Sequence, residues 1–276
     1  MPLSALLLAL AAAFVHALWN LLLARARDPE AATAVALVVA VTAFAPVAPF
    51  AWGLEREVWP YLAVTSCLQL LYFALLIAAY RKAEVSVVYP VARGVAPALV
   101  LLAGIVVLGY GTSWAQAAGV VLVGLGVLAI RGLQRGADAA GVVFGLTIAA
   151  VIASYTLVDK RGLDYATPIA YLEVSMIAPA VLYAAWVARL RGGTVALRSE
   201  LSRSSVVAGI ATFTAYALVL AALERASAAS VAAVRETSVV IATLLAAVVL
   251  KEHVTPVRLA GAILVACGVA ILGAGG

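Results

Sequence analysis

Ten apolar stretches, most of them close to a helical membrane crossing in length, follow one another along the chain with only short breaks between them. They read 2–24, 31–52, 59–79, 85–108 and 113–131, then 139–158, 167–188, 204–223, 228–250 and 256–274. A helix needs about 20 residues to cross a bilayer core of about 30 Å. Several stretches are rich in Val, which in water favours strands, but they are several times longer than an ordinary strand. Within hydrocarbon the backbone must satisfy its own hydrogen bonds, so only helices or a closed barrel can cross. A barrel needs short alternating segments, and these stretches do not alternate. The expected fold class is therefore an all-α integral membrane protein with ten transmembrane helices.

Composition agrees. Hydrophobic residues make up 66% of the 276 residues and charged residues 11%. Soluble domains carry about 25% charged residues, and too few are present here to cover a water-facing surface. The net charge of +5 fits basic cytoplasmic loops, so nucleic acid is not an expected partner. The stretch from Pro2 to Ala24 has no preceding Lys or Arg and exceeds a usual signal-peptide core, so it reads as a retained first span. Cys67 and Cys267 lie inside apolar runs and read as small packing residues.

The two halves resemble each other. Ala78-Ala79-Tyr80-Arg81-Lys82-Ala83 is echoed by Ala221-Ala222-Leu223-Glu224-Arg225-Ala226. Gly119 and Gly126 match Gly261 and Gly268, and His16-Ala17-Leu18-Trp19-Asn20 aligns with Ile152-Ala153-Ser154-Tyr155-Thr156. The expected organisation is one membrane domain of two repeats, 1–134 and 135–276. With five spans each, the second repeat is inserted upside down, an arrangement common in secondary transporters. Loops after odd-numbered spans carry twelve basic residues: Arg25, Arg27, Arg81, Lys82, Arg131, Arg135, Arg189, Arg191, Arg198, Arg203, Lys251 and Arg258. Loops after even-numbered spans carry four: Arg56, Lys160, Arg161 and Arg225. Basic loops stay in the cytoplasm, so both termini are expected on the same, outer side of a bacterial-type inner membrane.

Polar residues within these spans are the candidates for function, because a charge at that depth costs about 2.5–3.5 kcal/mol on insertion scales. Arg93 lies mid-span between Pro90 and Pro97, and Tyr89 shares its face at a spacing of four residues. It is a candidate cation for a carboxylate or phosphate; the alternative is a structural ion pair. Arg235-Glu236 is its counterpart in the second half. Adjacent helical residues point about 100° apart, so both cannot meet the same partner, and Glu236 is expected to balance Arg93. His16, Trp19 and Asn20 form one face of the first span. Gln69, Tyr72 and Phe73, with Tyr155 and Tyr216, are further candidate lining residues. Glu236, Glu173 and His16 are the candidates for carrying a coupling proton. Asp159, Asp164 and Glu224 read as loop charges. Trp52, Trp59, Trp114 and Trp186 sit near span ends, where an aromatic belt is expected. The only histidines, His16 and His253, lie in separate spans or breaks, so no metal site is expected. Catalytic motifs of soluble enzymes are absent from the sequence, and no cofactor is expected.

Along its whole length the chain resembles the drug/metabolite transporter superfamily, in its ten-helix EamA-like branch. The resemblance rests on the paired repeats, on Tyr89-Pro90-x-x-Arg93-x-x-x-Pro97, and on Arg235-Glu236 followed by the apolar run to Leu250-Lys251-Glu252. It also rests on Gly261 and Gly268 in the last span. It implies alternating-access transport of a small polar or amphipathic metabolite, such as an amino acid or organic anion, often outward and without enzymatic activity. The second half departs from the pattern: Ala232-Ala233-Val234 stands where the first has Tyr-Pro. The expected partners are a small-molecule substrate and the lipid bilayer, with protons as a candidate coupling ion and the chain acting as a monomer or homodimer. Rival readings are efflux of cationic drugs, an integral-membrane enzyme on lipid-linked substrates, and a non-transporting membrane subunit.

Overall fold

A computed structural model describes residues 1–23, 26–83, 85–131, 139–249 and 255–274. Arg25, Arg135, Lys251 and His253, the Leu250-Lys251-Glu252 motif and the repeat boundary at 134/135 lie outside the described residues. The first half holds α1 (Leu3–Leu23), α2 (Pro29–Phe44), α3 (Trp59–Lys82), α4 (Val85–Val106) and α5 (Trp114–Arg131). The second half holds α6 (Ala139–Gly162), α7 (Pro168–Leu190), the short α8 (Thr194–Ser199), α9 (Arg203–Arg225), α10 (Ala228–Arg235), α11 (Thr237–Val249) and α12 (Pro256–Ala274). Seven of these stretches are long and apolar enough to cross a membrane: Leu3–Leu23, Arg56–Ala79, Val87–Val106, Ala139–Gly162, Pro168–Leu190, Arg203–Arg225 and Pro256–Ala274. Pro29–Phe44 and Trp114–Ile130 are shorter apolar helices. The protein is a multi-pass membrane protein.

Three elements differ from the sequence expectation. The second span ends at Phe44 rather than 52 and gives way to a 3-10 turn, Ala48–Ala51. Pro46 and Pro49 explain this, since neither has an amide hydrogen to donate back into the helix, and the ladder stops after the Ala45 amide reaches the Val41 carbonyl. The sixth span runs on through Asp159 to Gly162, so the stretch read as a loop is helical. The ninth span is broken at Glu236 into α10 and α11. The starts are set locally. Asp28 caps α2 through the Glu30 and Ala31 amides at 3.1 and 3.2 Å, with Pro29 at the first helical position, where its missing N–H costs nothing.

The two halves interleave. α1 packs on α9 as α6 packs on α3, α2 packs on α9 as α7 packs on α3, and α4 packs on α6 as α10 and α11 pack on α1. At the α5–α12 contact a Cβ on Gly126 would stand 2.6 Å from the Gly261 oxygen, and one on Gly261 would stand 2.7 Å from the Gly126 oxygen. Gly119 and Gly268 meet in the same reciprocal way. Only glycine lets the backbones come this close, as small residues do in membrane helix pairs. Position 119 opposes 268 and 126 opposes 261, so the two helices run antiparallel.

Both ends of the bundle are tied across elements. At one end Arg191 pairs with Asp28 at 3.1 Å and Glu30 at 3.0 Å, and Arg81 lies 3.8 Å from Glu30. At the other, the Glu55 amide donates to the Tyr165 carbonyl at 2.9 Å and the Thr167 amide to the Gly53 carbonyl at 2.8 Å. Trp52, Trp59 and Trp114 are exposed.

Candidate functional site

A cavity of about 120 Å³ lies among α1, α2, α3, α4, α6, α7, α9 and α10. Of the residues expected to line it, His16, Trp19, Gln69, Tyr72, Phe73, Arg93, Tyr155 and Tyr216 do so. They come from both halves of the chain. Apolar groups such as Leu37, Leu172, Met176 and Phe213 complete the wall.

Arg93 is at the centre of the polar contacts. One terminal nitrogen donates to His16 Nε2 at 2.9 Å, and the other lies 3.4 Å from Glu236 Oε1. Its guanidinium also stands over the Tyr89 ring, 5.5 Å from the centroid. A guanidinium has no acceptor. His16 Nε2 must therefore accept, and the imidazole is neutral with its proton on Nδ1. The His16 ring meets Trp19 edge to face, with centroids 4.9 Å apart. Arg235 also lines the cavity, and its Nε is 3.8 Å from Glu236 Oε1. Glu236 thus stands between two guanidinium groups, buried and behind the wall. Arg235 Nε, Glu236 Oε2 and Trp19 Nε1 are buried atoms without a hydrogen-bond partner among the described residues.

Several expected residues fall elsewhere. Asn20 turns back to donate to the His16 carbonyl of its own helix at 2.9 Å. Tyr89 lines a smaller neighbouring pocket on the far side of Arg93. Glu173 is buried on α7 and does not line the cavity, and its Oε2 has no hydrogen-bond partner among the described residues.

The sequence reading missed two residues. Arg235 is not among the expected lining residues, yet it reaches the wall. Asp159, read as a loop charge, is fully buried. Its Oδ1 accepts from Thr65 Oγ1 at 2.7 Å and from the Tyr171 hydroxyl at 3.1 Å, and its Oδ2 accepts from the Tyr216 hydroxyl at 2.5 Å. Gln69 donates to the Tyr216 oxygen at 2.9 Å, connecting this group to the cavity wall. The only signal in the sequence was an acidic residue one turn beyond Tyr155 on the same helix.

The model of the EamA-like transporter family matches the chain twice, over residues 3–132 and 139–274. No curated protein matches the sequence. One similar solved structure, titled only as the crystal structure of a protein, superposes with a TM-score of 0.79 at 18% identity, covering 98% of this chain and 96% of that one. At that identity the likeness speaks for the fold alone. The paired family match covers nearly the entire sequence, and the chain belongs to the EamA-like transporter family.

Proposed function

We propose that the protein is a secondary transporter of a small carboxylate-bearing metabolite, such as an amino acid or organic anion, working by alternating access through this cavity. The observation that carries the reading is the pair of buried guanidinium groups, Arg93 and Arg235, that reach the cavity wall and share the single carboxylate of Glu236. Guanidinium groups bind carboxylates through paired, charge-assisted hydrogen bonds. Trp19, Tyr72, Phe73, Tyr155 and Phe213 supply an apolar wall for the rest of the solute. Drug-sized ligands occupy sites of about 300–1,000 Å³. A cavity of about 120 Å³ favours a small metabolite over the cationic-drug reading, as does the excess of cations at its wall.

The same proposal takes the chain as ten spans, with α10 and α11 as one broken span, in two inverted repeats, 1–134 and 135–276. The reciprocal Gly126–Gly261 and Gly119–Gly268 contacts support a two-fold relation. The twelve-to-four bias of loop cations supports placing both termini outside, and outward movement of the solute follows the family resemblance. In proteoliposomes, Arg93→Ala is expected to insert normally and to lose transport of labelled amino acids and monocarboxylates. Transport by that variant equal to wild type overturns the assignment. Competition by tetraphenylphosphonium favours the drug-efflux reading instead.

A further inference from the structure

We propose that Asp159 is the proton-binding site of the transport cycle, taking up a proton together with a carboxylate-bearing solute in the cavity. This rests on the transporter reading above. Asp159 sits on α6 about one turn from its end at Gly162, beyond the cavity wall and toward the end of the bundle where Gly53 meets Thr167. Two chains of hydroxyl groups converge on its carboxylate. Gln69 leads through Tyr216 to Oδ2, and Tyr171 and Thr65, themselves 2.8 Å apart, lead to Oδ1. Thr65 and Gln69 belong to the first half, whereas Asp159, Tyr171 and Tyr216 belong to the second. The carboxylate therefore ties the halves together at one end of the cavity.

The charged and titratable groups around it are few. α7 presents Tyr171, α9 presents Tyr216, and α10 places Arg235 within electrostatic reach. α3 presents the Thr65 hydroxyl. On α4, Arg93 is engaged with His16 and Glu236. On α6 itself Lys160 turns away to the Leu223 carbonyl, Arg161 lies over Tyr110, and Tyr155 faces the cavity. With His16 neutral, two guanidinium groups are balanced by Glu236 and an ionised Asp159. A proton taken from water onto Asp159 leaves one positive charge uncompensated, which a solute carboxylate can neutralise. Proton and solute then favour each other's binding, and this coupling is reciprocal. The proton also converts charge-assisted hydrogen bonds into neutral ones about half as strong, loosening the tie between the halves. A solute more concentrated inside carries its proton outward when this end opens.

The test uses the full chain in lipid nanodiscs. Infrared difference spectra are expected to contain a protonated-carboxyl band that titrates with pH. Asp159→Asn should lose it. Tyr216→Phe should keep it with a higher midpoint, because a donor to the ionised form is gone. A band unchanged in Asp159→Asn, or none in the wild type, overturns the proposal, and Asp159→Glu serves where the Asn variant does not fold. Benzoate is the probe for coupling. Added to weakly buffered wild-type protein at about pH 7, where free benzoate is ionised, it should draw up about one proton per molecule bound, and none in Asp159→Asn. Arg93-dependent benzoate binding without proton uptake overturns the coupling and leaves the carboxylate reading standing. A titrating Asp159 without benzoate binding supports the proton site and counts against that reading.

Discussion

α4 and its counterpart in the second half, α10 with α11, each bring an arginine to the cavity wall but are built in opposite ways. α4 contains Pro90 and Pro97 and is nevertheless one continuous helix. Its counterpart contains no proline from Ala228 to Val249, yet it breaks at Glu236. Proline is the usual cause of a break, so the difference locates the cause elsewhere. At the break the Glu236 amide bonds the Ala233 carbonyl at 3.0 Å, and the Val239 amide bonds the Glu236 carbonyl at 3.0 Å. These are tight three-residue turns of the 3-10 kind. Thr237 Oγ1 takes the Val234 carbonyl at 2.8 Å. The second half uses adjacent residues to serve two faces: Glu236 meets Arg93, and Arg235 meets the cavity. The first half needs only one face, and its helix is kept whole.

The largest expected effect exposes that asymmetry. Arg93→Ala removes the closer partner of Glu236 and leaves a buried carboxylate poorly paired. Breaking a buried pair in this way costs about 3–5 kcal/mol. Chemical unfolding of the purified protein should register it. Arg235→Ala removes a group whose Nε has no hydrogen-bond partner among the described residues and should cost far less stability, while still weakening solute binding. Equal destabilisation by the two variants would mean that the arginines are interchangeable, and the comparison would fail.

The α5–α12 contact is the control, because there the halves match in shape and carry no charge. A methyl group at Gly126 meets the Gly261 oxygen at 2.6 Å, and one at Gly261 meets the Gly126 oxygen at 2.7 Å. Each alanine variant should cost about 1–3 kcal/mol, the range for overpacking, and the two should agree. Unfolding curves that differ by more than the size of either effect would sink the two-fold reading.

Legibility in the sequence divides along the same line. Length and hydropathy placed the long apolar helices without reference to packing, and the depth of Arg93 made it costly enough to stand out. The cavity positions of His16, Trp19, Gln69 and Tyr216 were readable as rare polar or aromatic groups among Ala, Val and Leu. Asp159 was not, because Lys160, Arg161 and Asp164 follow it and together look like a solvated break. What makes it an interior group is three hydroxyls from α3, α7 and α9, and such long-range partners leave no local trace. Asn20 failed for the opposite reason. Its side chain satisfies a carbonyl one turn back, a local alternative that spacing alone does not exclude. The fate of Arg235 depended on the break at Glu236, which no proline announced.

The smallest expected effects test what holds each of the two spans in shape. Pro97→Ala restores an amide donor inside α4, where the helix is already continuous. The gained hydrogen bond and the greater helix propensity of Ala are offset by the loss of proline's fixed backbone in the unfolded chain, so stability should change by no more than about 1 kcal/mol. Thr237→Val has a more directed consequence. It keeps the side-chain volume but removes the hydroxyl from the Val234 carbonyl, at a cost of about 1 kcal/mol. Because that hydroxyl sits at the turn that aims Arg235 and Glu236 apart, transport should fall more than stability does, through misplacement of Arg235 at the cavity wall. A Thr237→Val protein that transports at the wild-type rate would show that the break is held by the backbone turns alone, and the contrast between the two spans would then owe nothing to this side chain.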